Sequence, residues 1–322
     1  MPRLHTSHRR LDATSLALAL SISATLFGSL ALSCESKLPP ASVPGIDLLE
    51  FLVEHPTNHV RYPPQRAPQS PPPPVSSKPD TEAAELTLDI LSTSAADAVV
   101  LMSYETMEGP LYGGSAFACR IDEARPPMLC TSHRVFGPAS GLETVVPQEA
   151  LAEFITRGFG RGHSTSPIFA SVDDPLPIPG TGVVSAGDLH LDVLAFPLLA
   201  PSRIHPLPLS PQLPKIGAPV RLLTLDQEGS DREDSSADVR AGSFDLRTIS
   251  ARVSDASSSI LIYAFEGPPP PSWATGTPIL DERGEVIGVH ISTASHAGVE
   301  YGAAAPTASL IEGILRVSST AP

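Results

Sequence analysis

Apolar residues in this chain fall into many short runs that are separated by turn residues, with almost no helical spacing. From residue 86 onward, several of these runs have the length and the boundary residues of β-strands. The predicted strands cover residues 98–104, 113–121, 128–131, 192–199 and 220–225. One short helix is predicted over residues 148–154. Many short strands joined by turns predict an all-β sandwich or barrel.

A β-hairpin is predicted near the end of the chain. Its strands cover residues 278–280 and 285–291, and the Asp-Glu-Arg-Gly turn of 281–284 lies between them. A tight polar turn with glycine between two apolar runs is a strong hairpin signal. The segment just before the hairpin, Trp273-Ala-Thr-Gly-Thr-Pro278, is the candidate for chemistry.

The first 33 residues have the pattern of an export signal. Three arginines within the first ten residues precede an apolar run over 16–32, and the small residues Ala31 and Ser33 stand at its end. A basic start, an apolar centre and small residues at the end are typical of a cleaved signal peptide. We therefore expect an exported protein.

The end of this signal also resembles the lipobox of bacterial lipoproteins. The residues Leu30-Ala-Leu-Ser-Cys34 precede and include a cysteine that such proteins lipidate. The resemblance implies a lipid anchor at Cys34 that holds the chain at a bacterial cell envelope. Simple cleavage with secretion stays open, as does a retained anchor, although the apolar run is short for a membrane span of about 20 residues.

Composition divides the rest of the chain. Residues 34–85 are rich in proline, which predicts an extended, disordered tether. We assign residues 86–200 to a first β-barrel and residues 201–322 to a second barrel with a short C-terminal helix. The net charge of −14 argues against a nucleic-acid partner, and no motif for a cofactor or a metal is present.

The chain has three cysteines. If Cys34 carries lipid, Cys119 and Cys130 remain as a pair on neighbouring predicted strands. An exported protein meets oxidising conditions, so a Cys119–Cys130 disulfide is expected. Two buried free thiols are the alternative.

The order of motifs between residues 98 and 317 resembles that of trypsin-like serine peptidases of the HtrA/V8 type. The motifs are Gly114-Ser-Ala-Phe117, Leu129-Cys-Thr-Ser-His-Arg-Val-Phe136, Leu191-Asp-Val-Leu-Ala-Phe196, Thr275-Gly-Thr-Pro278 and Tyr301-Gly-Ala-Ala-Ala-Pro306. The resemblance implies two six-stranded antiparallel β-barrels of chymotrypsin type. It also implies a histidine, an aspartate and a nucleophile in that order along the chain.

The resemblance assigns Asp192 as the carboxylate that orients the catalytic histidine, with Asp188 and His190 as nearby competitors. The histidine itself is ambiguous. Counting from Thr131 places Arg134 in its position, and His133 fits only if the register shifts by one residue. A guanidinium stays protonated in proteins and cannot act as a general base.

The nucleophile's position is taken by Thr275, and its extra methyl group restricts the side chain. Trp273 stands where the family has a glycine. In the family, that glycine lets the backbone point an N–H into the oxyanion hole. The resemblance thus assigns the oxyanion donors to the N–H groups of Trp273 and Thr275. Asp192 matches the family pattern, whereas Arg134, Thr275 and Trp273 depart from it at the positions of the histidine, the nucleophile and the oxyanion glycine.

Three functions follow from these residues. The first is a non-catalytic or weakly active peptidase homologue, tethered at the envelope, that binds a peptide or a protein. The second is an active serine-type endopeptidase that uses Thr275, His133 and Asp192. The third is an unrelated all-β secreted binding module. The oligomeric state does not follow from the sequence.

Overall fold

The computed structural model of the chain describes residues 96–163, 170–182, 186–199, 204–227 and 244–320. The predicted signal peptide, the tether and Cys34 lie outside these residues. The described residues belong to one compact unit, Val43–Pro322. No helix in the described ranges is both long enough and apolar enough to cross a membrane.

The first half of the described chain forms an antiparallel sheet in the order β5-β4-β1-β2-β3-β6. One further short strand, β7, pairs in parallel with β2. The strands are β1 (Val99–Thr106), β2 (Gly109–Arg120), β3 (Met128–Thr131), β4 (Ile155–Arg161), β5 (Ala170–Val172), β6 (Leu194–Pro197) and β7 (Leu207–Pro208).

The two edges of this sheet meet. Val172 at the end of β5 forms an antiparallel bridge with Leu198, which follows β6. The backbone N–H of Leu199 also donates to the Ser171 carbonyl at 3.0 Å. The first sheet therefore curls into a barrel whose closure is short.

The second half of the described chain forms a closed barrel in the order β10-β13-β12-β11-β8-β9. All of its neighbouring strands are antiparallel. The strands are β8 (Pro219–Gln227), β9 (Phe244–Ala256), β10 (Leu261–Phe265), β11 (Pro278–Leu280), β12 (Val286–His296) and β13 (Val299–Pro306).

Two helices accompany the strands. Helix α1 (Leu151–Phe154) is a single turn that follows a 3₁₀ turn at Gln148–Ala150, where a short helix was predicted. Helix α2 (Thr307–Thr320) ends the described chain. Leu310 and Ile314, one turn apart, are both fully buried, which gives α2 the apolar face that a packed helix needs.

The core has three parts. One cluster fills the first barrel around Tyr104 and Phe136, and a second fills the closed barrel around Tyr263 and Leu222. The third and largest cluster joins the barrels to each other and to α2. The barrels therefore pack through a continuous apolar contact, which holds groups from both barrels in fixed positions at their junction.

The predicted fold class is confirmed: the chain is an all-β double barrel of chymotrypsin type with a short C-terminal helix. This excludes an all-β module of another architecture. The predicted strand over 192–199 is shorter in the structure, so Asp192 lies before β6 and directly after a 3₁₀ turn at Ala186–Leu191. Strands β4, β5, β9 and β10 were not among those predicted.

Candidate functional site at the junction of the barrels

The carboxylate of Asp192 is fully buried and accepts three hydrogen bonds. The Ser132 hydroxyl donates to Oδ1 at 2.8 Å. The backbone N–H of Arg134 donates to the same oxygen at 3.1 Å, and Arg134 Nε donates to Oδ2 at 2.6 Å. The best-matched member of the expected catalytic set is therefore held by an arginine and a serine.

His133 forms no hydrogen bond with Asp192 in the part of the chain that the structure describes. Its Nε2 donates to the Val146 carbonyl at 2.7 Å, and its Nδ1 has no hydrogen-bond partner among the described residues. Residues His133–Phe136 form a 3₁₀ turn that Ser132 caps, with the Ser132 hydroxyl accepting from the Arg134 N–H. In such a turn, consecutive side chains diverge, so only one of His133 and Arg134 can face Asp192.

Thr275 lies at the end of a 3₁₀ turn, Ser272–Ala274, in front of β11. Its side chain is nearly buried, and its hydroxyl donates to the Ile291 carbonyl at 3.2 Å. No hydrogen bond within the described residues connects Thr275 to His133 or Arg134. The structure brings Asp192 and Arg134 together, and it does not assemble Asp192, His133 and Thr275 into a relay.

The turn that carries Thr275 is attached to the first barrel through Ser115 of β2. The Ser115 N–H donates to the Thr275 carbonyl at 2.7 Å. The Ser115 hydroxyl donates to the Trp273 carbonyl at 2.8 Å. These two hydrogen bonds, both donated by Ser115, fix the orientation of the turn relative to the first barrel.

Trp273 is partly buried, and its indole Nε1 donates to the Leu225 carbonyl at 2.8 Å. The N–H of the next residue, Ala274, donates to the Pro271 carbonyl at 3.0 Å, inside the turn itself. In this conformation, the indole is tied to β8 and packs against the cluster between the barrels. The expected oxyanion donors, the N–H groups of Trp273 and Thr275, thus belong to a turn that these two hydrogen bonds stabilise.

Gly276 follows Thr275 and has a positive φ of 92°. A Cβ atom at this position would collide with the Ser115 carbonyl and with Thr131 Oγ1. Glycine is required here both for the backbone conformation and for the close approach of β2 and β3. The glycine that the resemblance matched therefore has a structural reason that is independent of catalysis.

Ser132 and Ser115 were not among the predicted site residues, although they hold Asp192 and the Thr275 turn. A serine directly before a short turn is a capping signal, and Ser132 is recognisable in that way. Of the competitors to Asp192, His190 contributes a backbone N–H to the Ser259 carbonyl at 2.9 Å. The side chain of Asp188 is outside the described part of the chain.

His290 and Tyr263 form a second buried polar pair, inside the closed barrel. The Tyr263 hydroxyl and His290 Nδ1 are 2.5 Å apart, and His290 Nε2 lies 3.4 Å from Thr293 Oγ1. Burial lowers the pKa of His290 to about 3 and raises that of Tyr263. The backbone of His290 also bonds to Gly276 and Thr277, so this pair supports the strand behind the Thr275 turn.

Cys119 and Cys130 are two free, buried thiols in the structure, with their sulfur atoms 3.0 Å apart. The two cysteines are not directly opposite each other across β2 and β3. Cys119 pairs with Met128 and Cys130 pairs with Phe117, so the cysteines are diagonal neighbours on one face. Burial, followed by the contact with Cys119, raises the pKa of the Cys130 thiol.

The described residues contain no group of three or more histidine, cysteine or acidic side chains that could hold a metal ion. A guanidinium beside Asp192 supplies hydrogen-bond donors and positive charge but no base. A threonine hydroxyl that donates to a carbonyl has no proton acceptor poised to activate it.

No protein-family profile matches the sequence, and no curated protein matches it. Among solved structures, the active form of the protease Rv3671c from M. tuberculosis is similar, with 16% identity and a TM-score of 0.46 over 80% of this chain and 96% of that one. The serine protease AL20 from an extremophilic microorganism is also similar, with 10% identity and a TM-score of 0.43 over 70% and 100%.

The inactive form of the Rv3671c protease matches with 14% identity and a TM-score of 0.43, over 75% of this chain and 98% of that one. The fold itself is assigned from the strand order. The chain has a chymotrypsin-like serine peptidase fold. Its two barrels, their antiparallel pairing and the C-terminal helix carry that assignment.

Proposed function

We propose that this chain is a non-hydrolytic member of the chymotrypsin-like fold that binds a peptide or a protein at the junction of its barrels. The observation that carries the proposal is the ion pair between Arg134 and Asp192. Arg134 occupies the place next to the orienting carboxylate, and a guanidinium is a hydrogen-bond donor without an acceptor site for the nucleophile's proton.

The hydroxyl of Thr275 supports the same reading. Attack on a carbonyl requires a base that takes the hydroxyl proton. Here that proton is directed to the Ile291 carbonyl, which is far too weak a base. The imidazole of His133, the neighbour of Arg134 in the chain, is engaged with the Val146 carbonyl instead.

A site without a base for its hydroxyl can still bind a ligand. The junction is a contact between the two barrels, and ligand sites occur preferentially at such boundaries. Trp273, partly buried and fixed by its bond to Leu225, adds an ordered aromatic surface beside Thr275. Aromatic and arginine side chains contribute most to peptide and protein binding.

We also infer that the chain is exported and held at a bacterial envelope by a lipid on Cys34, with residues 34–85 as the tether. The arginine-rich start, the apolar run and the lipobox-like end support this. Expression of the full chain in bacteria with an alkyne-labelled fatty acid tests it. We expect label on the parent protein and none on Cys34→Ser, and an unlabelled parent would contradict the anchor.

Export would also allow Cys119 and Cys130 to form a disulfide. The two thiols lie close, and a thiol–disulfide oxidant of the compartment would accept the two protons and two electrons released. Mass spectrometry of the unreduced exported protein should show a mass two hydrogens lower than that of the reduced form. Two free thiols would rule the disulfide out.

The non-hydrolytic proposal is tested with a fluorophosphonate probe and a casein-derived peptide mixture on the full chain. An active serine peptidase in the same tube serves as the positive control. We expect neither labelling nor cleavage by the parent or by Thr275→Ser, because the hydroxyl lacks a base in both. Labelling of the parent that disappears in Thr275→Ala would establish an active endopeptidase instead.

A further inference from the structure

The guanidinium of Arg134 uses only a small part of its hydrogen-bonding capacity. Nε donates to Asp192, whereas Nη2 is buried without a hydrogen-bond partner among the described residues. A guanidinium carries five N–H donors in a planar fork. Buried donors in native proteins are nearly always paired, so an unused one in a site calls for an explanation.

This guanidinium is held rigidly. Asp192 accepts from Arg134 Nε, from the Arg134 backbone N–H and from the Ser132 hydroxyl. Moving the arginine away would leave Asp192 charged, buried and unpaired, which is strongly unfavourable. The free edge of the fork is therefore pre-organised, which reduces the entropy that a ligand loses on binding.

The turn that carries Arg134 adjoins the Thr275 turn. The side chain of Val135 lies directly against Gly114, and a Cβ at Gly114 would lie 3.3 Å from the Thr275 carbonyl. The next residue, Ser115, donates to that same carbonyl. The side chain of Arg134 is 7% exposed, so a small part of it reaches solvent, whereas Nη2 itself is buried.

We propose that Arg134 binds a carboxylate at the junction of the barrels, supplied by the C-terminus of a peptide or by an acidic side chain. The inference rests on the proposed binding function and specifies its ligand. A planar guanidinium edge matches a planar carboxylate through two parallel N–H···O bonds. The Arg134–Asp192 pair is neutral overall and the chain carries −14, which favours a singly charged anion over a doubly charged phosphate.

The test uses the full chain and N-acetylated tetrapeptide pools with randomised positions. One pool has free C-terminal carboxylates, a second has C-terminal amides and no acidic residue, and a third has C-terminal amides and one internal glutamate. Equilibrium dialysis with mass spectrometry measures retention and cleavage. The emission of Trp273, the sole tryptophan of the chain, reports binding beside the site.

We expect the first or the third pool to bind roughly 10- to 100-fold more tightly than the neutral amides, as for hydrogen bonds to a charged group. The pool that shows this gain identifies the source of the carboxylate. Inorganic phosphate at the concentration of the peptide should not displace the bound peptide. Competition by phosphate at the peptide's own concentration would overturn the carboxylate assignment.

The variants separate charge from folding. Arg134→Gln with Asp192→Asn removes the fork without leaving a buried charge, and it should bind acidic and neutral pools equally. Arg134→Lys keeps the charge, loses the fork and should lose most of the preference. Arg252→Gln, at an exposed ion pair of the closed barrel, is the matched control and should keep it. If the double variant does not fold, as judged by circular dichroism, the lysine variant decides.

The outcomes distinguish the two proposals. Equal retention of acidic and neutral pools by the parent would overturn the carboxylate site and leave the binding function standing. Retention of no pool would overturn both. Cleavage of any pool would overturn the non-hydrolytic function, whatever the preference for carboxylates.

Discussion

The two barrels contain ion pairs of almost the same geometry in opposite surroundings. In the first barrel, Arg134 Nε lies 2.6 Å from Asp192 Oδ2, and the side chains are 7% and 0% exposed. In the second, Arg252 Nε lies 2.7 Å from Glu266 Oε1, and the side chains are 58% and 43% exposed. Water screens the second pair, whereas each partner of the first depends on the other.

Their buried tyrosines differ in a similar way. Tyr104 of the first barrel rests against Gly158, and its hydroxyl has no partner among the described residues. Tyr263 of the second barrel rests against Gly302, and its hydroxyl is bonded to His290. Two ion pairs with almost the same N···O distance therefore differ in their contribution to stability because one is buried and the other is exposed. Two buried tyrosines differ because only one has a hydrogen-bond partner for its hydroxyl among the described residues.

The largest effect is expected from breaking the buried ion pair. Arg134→Gln leaves Asp192 buried without its cation and should lower the free energy of unfolding by about 3–5 kcal/mol. Arg252→Gln at the exposed pair should change it by less than about 1 kcal/mol. Urea unfolding of the two variants measures the difference.

The double variant Arg134→Gln/Asp192→Asn sharpens this prediction. Because it removes both charges, it should recover much of the loss caused by Arg134→Gln alone. Equal stability of Arg134→Gln and Arg252→Gln would mean that the buried pair is not a coupled unit.

The next effect concerns the two glycines that contact the tyrosines. At Gly302, a Cβ would collide with the Tyr263 ring, which its bond to His290 holds in place. At Gly158, it would lie 2.7 Å from Val172 Cγ2 and 3.0 Å from the Tyr104 ring, whose hydroxyl is not anchored. We expect Gly302→Ala to destabilise by about 3 kcal/mol and Gly158→Ala by about 1–2 kcal/mol.

Thermal or urea unfolding of both glycine variants gives the comparison. A larger loss for Gly158→Ala would show that the first barrel, with its short closure, is the less adaptable of the two.

A third effect depends on pH. Burial lowers the pKa of His290 from 6.5 to about 3. Between these values, the unfolded chain binds a proton that the folded chain does not, so stability falls as pH falls through this window. The loss attributable to His290 between pH 7 and pH 5 should be about 2 kcal/mol.

His290→Gln is the control for this pH dependence. Urea unfolding at pH 7 and pH 5 should show a shallower loss for the variant than for the parent. Identical losses in the two proteins would mean that His290 titrates normally in the fold.

The smallest effect is expected from removing the two tyrosine hydroxyls. Tyr263→Phe leaves His290 Nδ1 buried without a partner and should destabilise by about 1–2 kcal/mol. Tyr104→Phe removes a buried hydroxyl that has no described partner and should be neutral or stabilising by up to about 1 kcal/mol. Opposite signs in denaturation would support the contrast, and a destabilising Tyr104→Phe would contradict it.

Much of the fold followed from local patterns. The strand at Met128–Thr131 and the first strand of the hairpin, Pro278–Leu280, have the predicted bounds. Strand β9 escaped prediction, although Phe244–Ala256 alternates between buried and exposed positions through much of its length. Its polar side chains lie on the outer face, and their number hides the strand from a search for apolar runs.

The sequence pointed to some residues of the candidate site, Arg134, Asp192 and Thr275, and not to Ser115, Ser132 or the contacts among them. Counting from Thr131 indicated that Arg134 takes the place of a histidine, and the structure brings Arg134 to Asp192. The partner of the Thr275 hydroxyl, Ile291, lies 16 residues away on β12. Such a contact depends on how the hairpin curls into its barrel, which local sequence does not encode.

By itself, the sequence determined the chemical character of the candidate site. A guanidinium cannot become a base, and a threonine and a tryptophan stand where the trypsin-like motif has a serine and a glycine. Only the tertiary structure decided which of His133 and Arg134 faces Asp192, because a 3₁₀ turn between two strands sets that direction. It also decided that Cys119 and Cys130 are diagonal neighbours, because strand register is set by packing of the whole sheet. Residue type is a local property, whereas side-chain direction and register depend on contacts between distant parts of the chain.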